Sequence, residues 1–391
     1  MSPTETYLGW RAVRLDNGMI RAAVVPDIGG RVLQFWLGDH AYLFVNQSLA
    51  GRLFTAEENW GDGTMSSWKN YGGNKTWPAP QGWDGPDQRA GPPDPILDSG
   101  RFEVRFAERR RVVVQSPPDH RTGLQITREL ELEPGAARAT LRRTMRNVSA
   151  RPVRWSLWDV TQLDCSTDPR GVRPGCRMTI PLNPVSNMPG GYGVLYGPAD
   201  NLQWRTDRSG LLDVVAYAGE LGKVGLDSQA GWVAFTDSSG DWVFAHQFSV
   251  TPGAEYPDAG ATVEVWTQGP GVAAGVDFSQ DHLRGLFMEM EVLGPLIDLA
   301  PDAVSSMDLV WAACRCPGPI SDITRYGAYT VPALTTVRQP IGAMARLAVE
   351  IALRRAADPG APPETHSLDP ELVVRNSTAS VPSRKEVQRP H

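Results

Sequence analysis

The chain has 391 residues, a net charge of −6, 41% hydrophobic and 21% charged residues, the balance of a globular protein with a real core. An acidic chain with no concentrated Lys/Arg cluster speaks against nucleic acid as a main partner, because phosphate binding needs clustered cations. No apolar run nears the roughly 20 residues that span a bilayer, and the opening MSPTETYLGW has neither region of a secretory signal, so the expectation is a cytoplasmic protein without a membrane partner.

From the N-terminus to about residue 315 the hydrophobic pattern alternates with period two, the signature of strands. In Phe102–Phe106 the apolar side chains share one face and the charges the other. Ile126, Leu130 and Leu132 point inward, with Thr127, Glu129 and Glu131 outward. Val153, Trp155 and Leu157 alternate with Arg154, Ser156 and Trp158, and Val263 and Val265 with Thr262, Glu264 and Trp266. Turn clusters at Asp16-Asn17-Gly18, Glu133-Pro134-Gly135, Ser238-Ser239-Gly240 and Thr251-Pro252-Gly253 separate such runs. The pattern predicts a mainly β, antiparallel sandwich.

Two stretches read as loops. Asn59–Pro95 is rich in Gly and Pro and carries Trp60, Trp68, Trp77 and Trp83; a loop this long inside a compact domain is more often functional than idle. The second is Pro184–Asp200. The four cysteines, Cys165, Cys176, Cys314 and Cys316, show no zinc-finger spacing, so no metal is expected and they read as reduced thiols. After Cys316-Pro317-Gly318-Pro319 the texture changes: Ile341, Met344, Leu347, Ala348 and Ile351 recur at helical spacing, ended by Asp358-Pro359-Gly360, and Leu372-Val373-Val374 follows. A boundary near Pro317 would divide the chain into a β-sandwich domain, 1–317, and an αβ appendage, 318–391.

The opening Leu15-Asp16-Asn17-Gly18, with Val25-Pro26-Asp27-Ile28-Gly29-Gly30-Arg31-Val32, resembles that of galactose-mutarotase-like proteins. Asn70–Gln81, Trp158–Gln162, Tyr256-Pro257-Asp258 with Glu264-Val265, and Glu289–Pro295 resemble an uncharacterised bacterial branch of that superfamily. The resemblance covers about residues 10–313 and implies the supersandwich fold and a small carbohydrate as ligand. A second resemblance, over about 326–380, joins Val331–Pro340, the following helix and Pro370–Arg375 to the extreme C-terminus of lactose-repressor-type regulators, without their helix-turn-helix.

Mutarotation needs a base for the anomeric hydroxyl proton and an acid for the ring oxygen. Typical aldose 1-epimerases supply a late Glu and a middle-strand His. Glu289 and Glu291 are the late candidates: two apart on a strand, they share a face, with Met288, Met290 and Val292 on the other. Glu291 is the first choice for the base. Aligning Pro152–Leu157 on the usual strand puts Trp158 where the histidine should be, a stacking platform that cannot donate a catalytic proton. His246 is the candidate replacement, against a structural role. Arg31, Lys75, Trp77, Gln81, Asp159 and Gln162 complete the expected sugar cleft, with a structural salt bridge as the alternative for Arg31 and a solvated loop position for Lys75. Phosphate-loop, dinucleotide, zinc-protease and serine-hydrolase motifs are absent from the sequence, so no cofactor is expected. The reading is an aldose-1-epimerase-like isomerase; the alternatives are a non-catalytic sugar-binding module and a sugar-responsive regulator. Oligomeric state is left open.

Overall fold

A computed structural model describes residues 4–81, 92–167, 171–206, 210–214, 217–237, 239, 241–273, 275–316, 336–338 and 371–373. The alternating segments pair into two large antiparallel sheets. In the first, the strands run in the order Thr4–Tyr7, Trp10–Asp16, Ile20–Val25, Arg31–Leu37, Asn74–Ala79, Val153–Asp164, Phe287–Leu293, Val263–Gln268, Gly222–Leu226, Gly193–Tyr196. In the second the order is Arg205–Thr206, Leu211–Val214, Arg177–Pro181, Trp232–Asp237, Trp242–Phe248, Val304–Arg315, Arg138–Asn147, Leu124–Leu132, Arg111–Gln115, Glu103–Ala107. One hydrophobic cluster joins them, with Phe35, Val265, Met288 and Met290 from the first sheet against Leu130, Leu141, Phe244 and Trp311 from the second. The chain is therefore a mainly β, antiparallel sandwich, as the alternation and turn signals imply.

The outer faces of the two sheets differ. Along Leu124–Leu132 burial alternates, so one face meets solvent. The central strands Asn74–Ala79 and Val263–Gln268 are buried at every position, and Val153–Asp164 nearly so. Glu264 is on the face opposite the core residues Val263 and Val265, as alternation implies, but that face is covered there and Glu264 is fully buried. Three other expectations are revised. The loop expected at 59–95 contains the central strand Asn74–Ala79 and follows a short helix, Ala56–Trp60, whose Thr55 and Glu58 form a capping box. The second expected loop contains the strand Gly193–Tyr196. At the sheet edge a register shift between Val104 and Phe106 leaves Val104 38% exposed while Phe102 is buried.

Entry into the central strand depends on Gly72, at φ 93°: a Cβ there would lie 2.2 Å from the Phe44 carbonyl oxygen. Trp83 and the amphipathic run Ile341–Ile351 lie outside the described residues. The chain divides into two units, residues 1–330 and 331–391. In the second, Thr336–Arg338 pairs antiparallel with Glu371–Val373. No described helix is long and apolar enough to cross a membrane.

Between the sheets lies a polar layer that binary patterning does not foresee. Arg143 Nε donates to Asp159 Oδ1 at 2.7 Å, with both side chains essentially inaccessible. Asn74 Nδ2 donates to Asp159 Oδ2 at 2.7 Å, and Arg128 donates to the Gly29 carbonyl at 3.1 Å and to Asn74 Oδ1. Burial works to raise the Asp159 carboxyl, but Arg143 and its neighbours outweigh it and hold it below its usual value. Removing one partner of such a pair leaves an uncompensated buried charge. We therefore predict that Arg143→Met costs about 3–5 kcal/mol of unfolding free energy. Arg142→Met, at the exposed Arg142–Asp308 pair, should leave the urea midpoint nearly unchanged.

Candidate functional site

Strand periodicity sends alternate residues of the first sheet away from the inter-sheet core, and the cross-strand registers line them into rows. Gln162 faces Glu289, which faces Trp266, which faces Lys223. One row along, Lys75 faces Val160, then Glu291, then Glu264. Trp77 faces Trp158 in the row beyond. Over these rows lies a pocket of about 270 Å³, walled by Trp68, Trp77, Trp158 and Trp266 and reached by Lys75, Lys223, Glu289, Asp258 and Gln81.

Its floor is a chain of ion pairs. Lys75 Nζ lies 2.8 Å from Glu289 Oε1, which also accepts from Gln162 Nε2 at 2.8 Å. The same ammonium sits over the rings of Trp77 and Trp68, 4.3 and 4.7 Å from their centroids. Lys223 Nζ lies 2.6 Å from Glu264 and 3.1 Å from Glu291, over the Trp158 ring. Trp158 Nε1 donates to Glu291 Oε2 at 2.9 Å. Burial pulls the Lys75 ammonium below its ordinary value, with Glu289 opposing. For Lys223 burial acts the same way, but Glu264 and Glu291 outweigh it and raise it. Burial raises both Glu264 and Glu291, with Lys223 opposing in each case.

A second layer fixes the aromatic wall. Trp68 Nε1 and Trp77 Nε1 both donate to the Asp98 carboxylate, at 2.8 and 3.0 Å, and Arg31 Nη2 neutralises it at 2.5 Å. Asp98 is brought there by Gly29, φ 77°, where a Cβ would stand 2.0 Å from the Asp98 carbonyl oxygen.

The expected residues therefore divide. Lys75, Trp77, Gln81, Trp158 and Glu289 meet at the pocket, with Gln162 bonded directly behind Glu289. Lys75 is a buried strand residue instead of a solvated loop lysine. Glu291 is on the right face but wholly covered, whereas the Glu289 side chain is 12% exposed, so Glu289 is the carboxylate a ligand can reach. Arg31 is fully buried in its salt bridge with Asp98 and supports the pocket from behind. Asp159 points the opposite way, into the inter-sheet layer.

His246 is on the second sheet, stacked on Trp311 at a 5.4 Å centroid separation and 3.5 Å from Thr161 Oγ1. Burial pushes it down to about 3, so it stays neutral in the core, away from the pocket. Sequence reasoning missed Lys223, Glu264 and Asp98 as site residues. A single lysine in Gly222-Lys223-Val224-Gly225 and one acid in an alternating strand give no local signal. Among the described residues no cluster of His, Cys, Asp and Glu could hold a metal ion.

The fold and pocket define a β-sandwich protein with an aromatic, ion-paired pocket on the outer face of one sheet. Residues 11–170 match a family model described as a domain of unknown function (DUF4380). Residues 309–378 match the periplasmic binding protein-like domain. The chain is similar in fold to a TPR-domain containing protein from Parabacteroides distasonis, 15% identical with TM-score 0.51, over 85% of this chain and 50% of that one. It is also similar to a galactose mutarotase-like protein from Lactobacillus casei, 11% identical with TM-score 0.47, over 78% of this chain and 100% of that one. Over 58 residues, 15% of the chain, it is 47% identical to the HTH-type transcriptional regulator MalR of Streptomyces coelicolor, of which it spans only 17%. Over 57 residues, again 15% of this chain, it is 46% identical to an HTH-type transcriptional regulator from the aml 5′ region of Streptomyces violaceus, spanning 74% of that protein. The C-terminal segment is thus similar both to the periplasmic binding protein-like domain and to these regulators.

A raised carboxyl such as Glu264 contributes stability that is fully present below its unfolded value near 4.5 and declines as the pH rises towards its folded value. The slope is about 1.4 kcal/mol per pH unit for one such group. Glu264→Gln should flatten the fall in unfolding free energy as the pH rises above about 4.5, by no more than that slope. Urea melts across the range measure it.

Proposed function

We propose that the pocket binds a monosaccharide or a close derivative and interconverts its anomers. The observation that carries this reading is the Lys75–Glu289 pair at 2.8 Å, set among tryptophans in a pocket of about 270 Å³. Tryptophan faces suit the C–H face of a pyranose, and a few convergent polar groups fix its hydroxyls. Glu289, ion-paired and partly open, is the base that takes the anomeric hydroxyl proton. Lys75, made more acidic by burial, gives a proton to the ring oxygen as the bond from C1 to that oxygen breaks. Rotation about C1–C2 and the reverse proton transfers close the ring on the other anomer. Both protons return, and no cofactor enters the balance.

A non-catalytic sugar-binding module is the second reading, favoured by one observation: Glu289 Oε1 is already satisfied by Lys75 and Gln162. In both readings the partner is a small carbohydrate. The free thiols Cys165, Cys176, Cys314 and Cys316 suit a reducing cytoplasm.

The full chain should accelerate anomer exchange of its sugar, followed by polarimetry or NMR exchange. Glu289→Gln should then lower the rate at least about 100-fold while sugar affinity changes little. Glu291→Gln, behind the pocket, should have a smaller effect. Binding without acceleration by the wild type favours the module, and no response to any sugar by thermal shift contradicts both readings.

A further inference from the structure

The pocket's charge is unbalanced, and the imbalance bears on which sugars it accepts. Four carboxylates (Glu264, Glu289, Glu291 and Asp258) surround two ammonium groups, Lys75 and Lys223. Both ammonium groups are already committed: Lys75 to Glu289, and Lys223 to Glu264 and Glu291 together. Glu264 and Glu291 stand directly opposite each other on adjacent strands, fully buried. Even with one proton between them, the group as a whole remains negative. Glu264 Oε1 and Glu291 Oε1 have no hydrogen-bond partner among the described residues. Among the described residues, a phosphate or carboxylate entering this space would meet no uncommitted cation.

The wall beside the excess charge is aromatic. Trp266 lies against Tyr196 and Phe278, each at a 5.7 Å centroid separation. Among the described residues no cation of the protein covers these three rings, in contrast to Trp68, Trp77 and Trp158. Asp258, half-buried, lines the same pocket; its charge helps to raise the Lys223 ammonium, but among the described residues no hydrogen bond or close ion pair ties its carboxylate. It is held in the left-handed region at φ 49°, followed by Ala259 at φ 61°, a backbone state that costs free energy for a residue with a Cβ. An aromatic surface beside an unpaired carboxylate is a setting for a cation.

Building on the sugar-site reading, we infer that the pocket selects a monosaccharide carrying a protonated amine over the parent neutral sugar, and excludes sugar acids and sugar phosphates. Asp258 is its specificity-determining residue, receiving the ammonium group beside Trp266. Val263 and Val265, on the opposite face of the strand that carries Trp266, face the core and take no part.

The test is calorimetric titration of the full chain with 2-amino-2-deoxyhexoses, their parent hexoses, hexuronic acids and hexose phosphates. The amino sugar should bind about tenfold tighter than its parent, about 1.4 kcal/mol, and the acids and phosphates more weakly than either. The preference should fade as the pH rises through the amine's own titration, a readout that needs no variant. Asp258→Asn should bring amino and parent sugar to within about twofold of each other. Parent sugars binding as tightly as amino sugars, or uronates and phosphates binding best, would overturn the inference while leaving a sugar site in place. No binding by any of the four classes would overturn the sugar reading itself.

Discussion

Charge taken out of water must be paired, and that constraint shapes both faces of the first sheet. On the inner face Arg128 and Arg143 are held by Asp159, Asn74 and a backbone carbonyl. On the outer face Lys75 and Lys223 are held by Glu289, Glu264 and Glu291. The strand Val153–Asp164 serves both, sending Asp159 and Thr161 inward and Trp158 and Gln162 outward. A shift of one residue in its register would exchange the two sets, taking Asp159 from Arg143 and Trp158 and Gln162 from Glu291 and Glu289.

The two layers have different consequences. The inner one is buried between the sheets, so its contribution is to fix their stacking. The outer one is open on one side, and two of its four wall tryptophans, Trp68 and Trp77, are fixed by a single carboxylate, Asp98, that is neutralised by Arg31. Because Arg31 holds Asp98, and Asp98 the rings over which Lys75 rests, the pocket is pre-shaped before any ligand arrives.

The sequence shows the fold more plainly than the site. Alternation at Val263–Trp266 and turns such as Glu133-Pro134-Gly135 announce antiparallel strands, and the Glu289/Glu291 face is correctly separated from Met288 and Met290. The strand Asn74–Ala79 is hidden because its glycine entry and internal Pro78 look like a loop, although Gly72 is there to let the backbone pass close to Phe44. Arg128 and Glu264 are hidden for another reason: a charge in an alternating strand signals solvent unless its partner is known, and those partners are distant in sequence. The choice between Glu289 and Glu291 turns on depth in the pocket, which periodicity cannot report.

The central claim is that a ligand is received at the Lys75–Glu289 pair within the tryptophan wall. A crystal structure of the chain with a sugar that stabilises it tests this most directly. The account predicts a pyranose against the indole faces, with its anomeric hydroxyl within hydrogen-bond distance of Glu289 and its ring oxygen near Lys75 Nζ. A sugar bound elsewhere on the molecule, with this pocket holding only solvent, would contradict it.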